Sequence, residues 1–146
     1  MSQVTITLPD GSTRDVSAGT PVRDIAAGIS PGLARAAYAG VVDGKLVDLS
    51  HPLEKDSAVR IVTDKSPEAL ALLRHSTAHL MAAAVTNLFP GAQCGIGPAT
   101  DEGFFYDFIV DRPFVPEDLA AIEDRMKELA QQDLPYERQM WPREEA

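Results

Sequence analysis

Two histidines, His75 and His79, stand four residues apart in the segment LLRHSTAHLMAAAV, whose other side chains are mostly apolar or small. On a helix, residues with this spacing project from one face with their Cβ atoms about 5–6 Å apart. Three interpretations fit: two buried histidines bonded to the backbone, part of a metal shell, or part of a hydrolytic or ligand-binding pocket. In a pocket, burial and mutual repulsion would favour neutral imidazoles, which can accept a proton or orient a water molecule.

The metal interpretation lacks a complete ligand set. The zinc-protease pattern HExxH fails because Ser76 follows His75. Cys94 and His51 are possible further ligands, but neither has a diagnostic spacing from the histidine pair. We instead expect Cys94 to be a small buried residue and His51 to lie in a surface loop, and we predict no metal site.

Composition and charge limit the class of protein. The chain has 146 residues, of which 45% are hydrophobic, a single cysteine and a net charge of −9. It contains no apolar run of the roughly 18 residues that a membrane span needs, and its N-terminus has no secretory signal pattern. We therefore expect a cytoplasmic protein without a membrane partner. Because RNA phosphates are bound by clustered Lys and Arg, we expect weak or no RNA binding by this acidic chain alone.

The first half predicts a compact α+β domain over residues 1–64. Its elements are a strand at 4–8, a strand at 12–16, a helix at 22–29, a hairpin at 36–42 and 45–49, and a strand at 58–63. Thr20 is the expected N-cap of the helix, and Val22, Ile25 and Ala26 should share its buried face. A hairpin followed by a helix and further strands is the order of a ubiquitin-like β-grasp fold.

The second half, residues 66–146, predicts a unit built on a long central helix. Ser66 is the expected N-cap, the helix should run to about Phe89, and Pro90-Gly91 should end it. This helix carries both candidate histidines.

Two more elements are expected beyond the long helix: a strand in FFYDFIV, residues 104–110, and an amphipathic helix over 116–132. The apolar face of that helix should contain Leu119, Ile122, Met126 and Leu129. The long helix is apolar around most of its circumference at 78–85, and too few strands remain to cover it. We therefore expect an incomplete α+β domain, and a chain that is a fragment of a longer protein.

Three segments, RHSTAHLMAAAV, GIGPATDEGFFYDF and EDLAAIEDRMKEL, closely resemble in this order the N-terminal region of bacterial threonyl-tRNA synthetases. The resemblance covers essentially the whole chain. It implies that residues 1–64 are a TGS domain of β-grasp fold. It also implies that residues 66–146 are the first part of the editing domain that threonyl- and alanyl-tRNA synthetases share.

The resemblance assigns a role to the two histidines. In this family the HxxxH pair lines the pocket that hydrolyses serine mischarged onto threonine tRNA, and His75 and His79 match it. Gly97 in GIGP and Tyr106 in GFFYDF match positions close to that pocket, where they would bind substrate. The family attaches threonine to tRNA(Thr) with ATP and uses magnesium and zinc in its catalytic domain. It also implies a homodimeric parent protein.

The chain departs from the family pattern in ways that affect activity. The downstream cysteine–histidine pair of the editing pocket is absent after His79, as are the class II synthetase motifs, the zinc ligands and the anticodon-binding domain. The chain alone should hold no cofactor, should not activate threonine, and should lack robust editing. The alternative is a stand-alone TGS-containing module that binds RNA or nucleotide, or regulates, without catalysis.

Overall fold

The computed structural model of the chain describes residues 2–136 and 139–145. The fold is α+β and divides into two compact units, Met1–Leu70 and Ala71–Ala146. The predicted second domain, 66–146, includes residues 137, 138 and 146, which lie outside the described part of the chain. Within that part, no helix is both long enough and apolar enough to cross a membrane.

The first unit is built on a mixed five-stranded sheet. Its strands and helices, in chain order, are β1 (Gln3–Thr7), β2 (Thr13–Ser17), β3 (Thr20–Pro21), α1 (Val22–Ile29), α2 (Pro31–Ala36), β4 (Ala39–Val42), β5 (Lys45–Val47), β6 (Pro52–Leu53) and β7 (Ser57–Val62). The sheet order is β2-β1-β7-β4-β5, with β1 and β7 parallel at its centre and antiparallel pairs outside. The predicted β-grasp fold is confirmed.

The core of this unit lies between the sheet and α1. The predicted helix face is confirmed, because Val22, Ile25 and Ala26 are all buried. Val22 and Ile25 join a core with sheet residues such as Ile6 and Val59, whose neighbours along the strand are exposed or half-buried. A period of two in the strands and of three to four in the helix therefore produces one shared apolar layer.

The predicted N-cap at Thr20 is wrong. Thr20 and Pro21 form the short strand β3, which pairs with β6, and Pro21 precedes the first helical residue without a side-chain cap. The Thr20 hydroxyl instead donates to the Ser17 carbonyl. Helix α2 was not predicted; the Ser30 hydroxyl accepts the Leu33 N–H, and Pro31 begins the helix.

The long helix of the second half is α3 (Ala69–Leu88), so its existence and its end near Phe89 are confirmed. The predicted cap at Ser66 is wrong, because the helix begins three residues later. Ser66 instead closes a turn in which its hydroxyl accepts the Thr63 N–H. Glu68, next to this turn, forms a two-armed ion pair with Arg60.

The segment after α3 is an irregular hairpin, residues 93–109, rather than a continuous strand at 104–110. Only β8 (Gln93–Cys94) and β9 (Phe108–Ile109) pair regularly among the described residues of this segment. The pairing continues with the Gly95 N–H donating to the Asp107 carbonyl and a single bridge between Ala99 and Phe104. Three glycines, at 95, 97 and 103, interrupt the ladder.

The last helix, α4 (Pro116–Gln131), packs on α3. Ala84 and Val85 of α3 meet Ile122 of α4 in a small core that also takes in Phe108 of the 93–109 hairpin. The predicted apolar face is correct at Ile122 but wrong at Leu119, which is 61% exposed. The buried position one residue earlier belongs to a carboxylate, which the predicted apolar face did not include.

That carboxylate is Asp118, which fastens the start of α4. Both of its oxygens accept from the Arg112 guanidinium, at 2.6 and 2.9 Å, and Oδ2 also accepts the Val115 N–H at 2.9 Å. The bonds from Arg112 and then the bond from Val115 lower the pKa of Asp118 from 3.8 to about 2. A carboxylate in the first helical turn is also favoured by the helix dipole.

We predict that Gly40→Ala destabilises the first unit. A Cβ on Gly40 would lie 2.7 Å from Val22 Cγ1, and Val22 is a fully buried, β-branched residue that cannot rotate away. Overpacking of this kind costs about 1–3 kcal/mol, measurable as a lower urea midpoint. Gly28→Ala in α1 is the control, because its Cβ would lie 3.6 Å from Arg14 Nη1 and alanine favours a helix. Equal midpoints for the two variants would contradict the predicted overlap.

We also predict a specific acid sensitivity from Asp118. Its lowered pKa means that the ionised form is favoured by folding, so this stabilisation is complete above about pH 4 and is lost as pH falls toward the folded pKa of about 2. The urea midpoint of the wild type should therefore exceed that of Asp118→Asn by less as the pH falls from about 4 to about 2. Asp124→Asn, on the exposed face of α4, should show little such change. A difference in urea midpoint between the wild type and Asp118→Asn that does not change with pH would contradict this account.

Candidate functional site

The two candidate histidines are in direct contact on α3. Their Nε2 atoms lie 3.1 Å apart, and their rings meet edge to face with centroids 4.6 Å apart. The helical spacing of four residues produces this contact, because it stacks the two side chains on one face. The structure thus brings together the pair that the sequence singled out.

Both side chains are exposed, which argues against the interpretation of two buried histidines bonded to the backbone. The neighbouring small residue Ala78 is buried instead, so the core-facing side of α3 lies beside the histidine face. Two exposed imidazoles whose hydrogen bond among the described residues is to each other do not fit the interpretation of core histidines. They present ring nitrogens at a surface that solvent or a ligand reaches.

The 3.1 Å separation of the two Nε2 atoms is within hydrogen-bond range. A ring nitrogen can donate only if it carries hydrogen and can accept only if it does not. An Nε2–H···Nε2 bond across this distance therefore needs one nitrogen that carries hydrogen and one that does not. The pair can hold one proton between its facing nitrogens and still has an unprotonated nitrogen available when that bond opens.

Gly97 and Tyr106 form a second contact, across the 93–109 hairpin. A Cβ at Gly97 would overlap the Tyr106 ring carbons Cδ2 and Cε2, so the ring lies directly over the glycine backbone. Tyr106 also stacks on Phe108, with ring centroids 5.0 Å apart. The half-buried Tyr106 ring is thus held between a glycine and a second aromatic ring.

No hydrogen bond or ring contact among the described residues joins the histidine pair to the Gly97–Tyr106 pair. The hairpin is nevertheless fixed to α3 at both ends. Phe108 packs into the core around Ala84 and Val85. At the other end, Arg74 Nη1 donates to the carbonyls of Thr100 and Asp101, each at 2.9 Å.

Sequence reasoning missed Arg74. Its signal was present, because a basic residue directly precedes His75 in a segment that is otherwise apolar or small. The partners of Arg74 could not be predicted from the sequence, because they are backbone carbonyls, which every residue has. They lie in a turn 26 and 27 residues away.

A groove of about 270 Å³ lies on another side of α3, against the end of α4. Its walls are mainly apolar: Leu73, Leu80, Ala83, Leu129 and Leu134 line it, with Ser76, Thr77, Ala130, Asp133 and Tyr136. The Thr77 hydroxyl donates to the Leu73 carbonyl of its own helix. This groove lacks both candidate histidines, so we do not assign it to their chemistry.

Two further sequence expectations can be compared with the structure. Cys94 is exposed, so the expectation of a small buried residue is wrong. His51 lies in a loop, half-buried, with its backbone N–H donating to the Asp48 carbonyl. Residues 2–136 and 139–145 contain no group of three or more His, Cys, Asp or Glu side chains that could hold a metal ion.

We predict that Gly97→Ala displaces the Tyr106 ring, because the added methyl group would occupy the ring's position. Nuclear Overhauser contacts between the Gly97 backbone and the Tyr106 ring, and between the Tyr106 and Phe108 rings, should be lost. Gly103→Ala is the matched control in the same hairpin, since its Cβ would meet nothing within 4 Å. Retention of the Tyr106–Phe108 contacts in Gly97→Ala would contradict the prediction.

Comparison with known proteins matches residues 4–63 to the TGS domain family. This range covers the sheet and both helices of the first unit. The match does not include the second unit, which contains the histidine pair.

Other relatives match both units. Threonine–tRNA ligase of Teredinibacter turnerae is 58% identical over 97% of this chain, and that of Geobacter sp. is 58% identical over 94%. The ligase of Pelobacter propionicus is 56% identical over 100% of the chain. The chain spans only 22–23% of the length of these relatives. Residues 4–63 therefore match the TGS domain family, and the chain is similar along nearly its whole length to part of the threonine–tRNA ligases.

Proposed function

We propose that this chain is the N-terminal region of a threonine–tRNA ligase, and that its second unit contributes to hydrolysis of serine mischarged onto tRNA(Thr). The observation that carries the proposal is the exposed His75–His79 contact, Nε2 to Nε2 at 3.1 Å, in a chain homologous to such ligases. The homology supports the ligase, and the geometry supports the hydrolytic role.

A hydrolytic site is a rational need for a threonine ligase. Serine lacks one methyl group of threonine, and a missing methyl group changes binding by only about 1–3 kcal/mol. Such discrimination is about 10–200-fold, so a second site that removes the wrong product raises accuracy. The bond to be cleaved joins the carboxyl carbon of serine to a ribose oxygen at the tRNA end.

The histidine pair has the properties that ester hydrolysis requires. A water molecule must add to the carbonyl carbon and lose a proton, and the departing ribose oxygen must gain one. The bare Nε2 of the pair can accept the proton that water loses, and the imidazolium formed in this way can then donate that proton to the departing ribose oxygen. Because both imidazoles are exposed, a large substrate such as a tRNA end can reach them.

Tyr106 supplies a candidate substrate contact. Its ring lies over the Gly97 backbone and stacks on Phe108, so the direction of its hydroxyl is restricted. A phenol that is fixed in this way can donate to a carbonyl or hydroxyl of the amino acid without losing much side-chain entropy on binding. We therefore propose Gly97 and Tyr106 as substrate-binding residues of the same pocket.

The pocket that we propose is incomplete in this chain alone. We propose that other parts of the longer protein complete it, and that ATP, magnesium and zinc act there too. We also propose tRNA(Thr) as the partner of the longer protein, a homodimer in the cytoplasm. This chain, with a net charge of −9, would bind RNA weakly.

A stand-alone TGS module that binds RNA or nucleotide has less support. The threonine–tRNA ligases match 94–100% of this chain and thus include the second unit. A TGS module of unrelated context would share the first unit only.

We predict that a ligase containing this chain deacylates seryl-tRNA(Thr) faster than threonyl-tRNA(Thr), and that His75→Ala or His79→Ala slows it. Loss of a general acid or base costs about 10²–10⁴-fold in rate. The double variant should be little slower than either single variant, because the two imidazoles act as one unit. The chain alone should give no hydrolysis above background.

The control is His51→Ala, which removes the imidazole of the third histidine and leaves its backbone bonds in place. It should deacylate seryl-tRNA(Thr) at the wild-type rate. If His75→Ala and His79→Ala also match the wild type, the pair is structural and the editing role fails, whereas the homology to threonine–tRNA ligases stands.

A further inference from the structure

We propose that Arg74 is a positioning residue, which fixes the tip of the 93–109 hairpin on α3 and thereby places Tyr106 beside the histidine pair. The inference rests on the proposed function for its catalytic consequence, but its structural part stands by itself. It is carried by the two bonds from Arg74 Nη1 to the Thr100 and Asp101 carbonyls.

The first step is that Arg74 holds a defined turn. Within residues 100–103, the Thr100 N–H donates to the Gly103 carbonyl at 2.8 Å, and the Gly103 N–H donates to the Thr100 hydroxyl at 3.1 Å. Both carbonyls that Arg74 binds belong to this turn. The bonds of a cationic donor are stronger than those of a neutral one, so they can order a short exposed turn.

The second step is that the hairpin has two anchors along α3. Phe108 packs against the core that Ala84 and Val85 of α3 form with Ile122 of α4, and the turn is bound at Arg74. From residue 74 to residue 85, α3 rises by about 16 Å. From residue 101 to residue 108, an extended chain covers at most about 23 Å. The hairpin therefore runs alongside the part of α3 that contains the histidines.

The third step is that Tyr106 lies between these anchors. Its ring direction is set within the hairpin by Gly97 and Phe108, and its place relative to α3 is set by the two anchors. With Arg74 removed, the hairpin would retain the Phe108 anchor at its base, and its tip could pivot about that anchor. A displacement of about 1 Å between substrate-binding and reacting groups can cost about a hundredfold in rate.

Arg74 also offers a discriminating pair of variants. Both bonds come from the single nitrogen Nη1. A lysine at this position retains a cationic nitrogen with three donors and can bind two carbonyls, whereas methionine keeps the apolar stem and has no donor. Arg74→Lys should therefore rescue what Arg74→Met loses.

The structural test is amide hydrogen exchange on this chain. Arg74→Met should speed exchange at the Thr100 and Gly103 amides by about tenfold, as expected from two hydrogen bonds of modest net strength. Arg74→Lys should restore most of the protection, and the Phe89 amide, bonded to the Val85 carbonyl, should not change. Unaltered exchange at Thr100 and Gly103 in Arg74→Met would overturn the proposal.

The catalytic test uses seryl-tRNA(Thr) deacylation by a ligase that contains this chain. Arg74→Met should lower kcat by about tenfold to a hundredfold with little change in KM, and Arg74→Lys should recover most of kcat. The control is Arg125→Met, which breaks bonds to Asn87 and Glu128 away from the hairpin.

The two proposals fail differently. A wild-type ligase that does not deacylate seryl-tRNA(Thr) would overturn the proposed function and leave the exchange result intact. A ligase whose activity depends on His75 and His79 but not on Arg74 would overturn the positioning role alone.

Discussion

The contact of α3 with α4 and the 93–109 hairpin is the interaction on which the second unit depends. Its core is small, with Ala84, Val85 and Ile122 buried and a ring of aromatic and methionine side chains around them. Small residues on α3 let the neighbouring elements approach closely, so alanine at these positions is a packing requirement. Phe108, at the base of the hairpin, packs against the same core. The position of the hairpin, and with it that of the candidate site, therefore depends on this core.

The histidine pair owes its chemistry to being outside that core. A buried pair would be satisfied by backbone groups and would face no substrate, whereas His75 and His79 satisfy each other at an exposed surface. Their contact requires a bare ring nitrogen in one partner. Helix α3 therefore has two roles. One side of it forms the core, and the adjacent side presents the two imidazoles at a fixed spacing.

The predictable parts of the structure are those with a local pattern. Strand alternation, the Val22–Ile25–Ala26 face and the i, i+4 histidines follow from periodicity, and the structure bears them out. Burial was harder to predict, as Leu119 and Cys94 are exposed and Asp118 is buried. Asp118 is buried because its carboxylate accepts hydrogen bonds from Arg112 and from the Val115 N–H. Contacts to distant backbone, such as those of Arg74, have no sequence signature at all.

The most direct test of this account is the protonation of the facing imidazole nitrogens, measured by ¹⁵N nuclear magnetic resonance of the labelled chain near neutral pH. The account predicts a ¹⁵N–¹⁵N coupling across the hydrogen bond between His75 Nε2 and His79 Nε2, with one nitrogen protonated and the other bare. Two Nε2 atoms that are both protonated, with no coupling between them, would contradict the claim that the histidines share a proton.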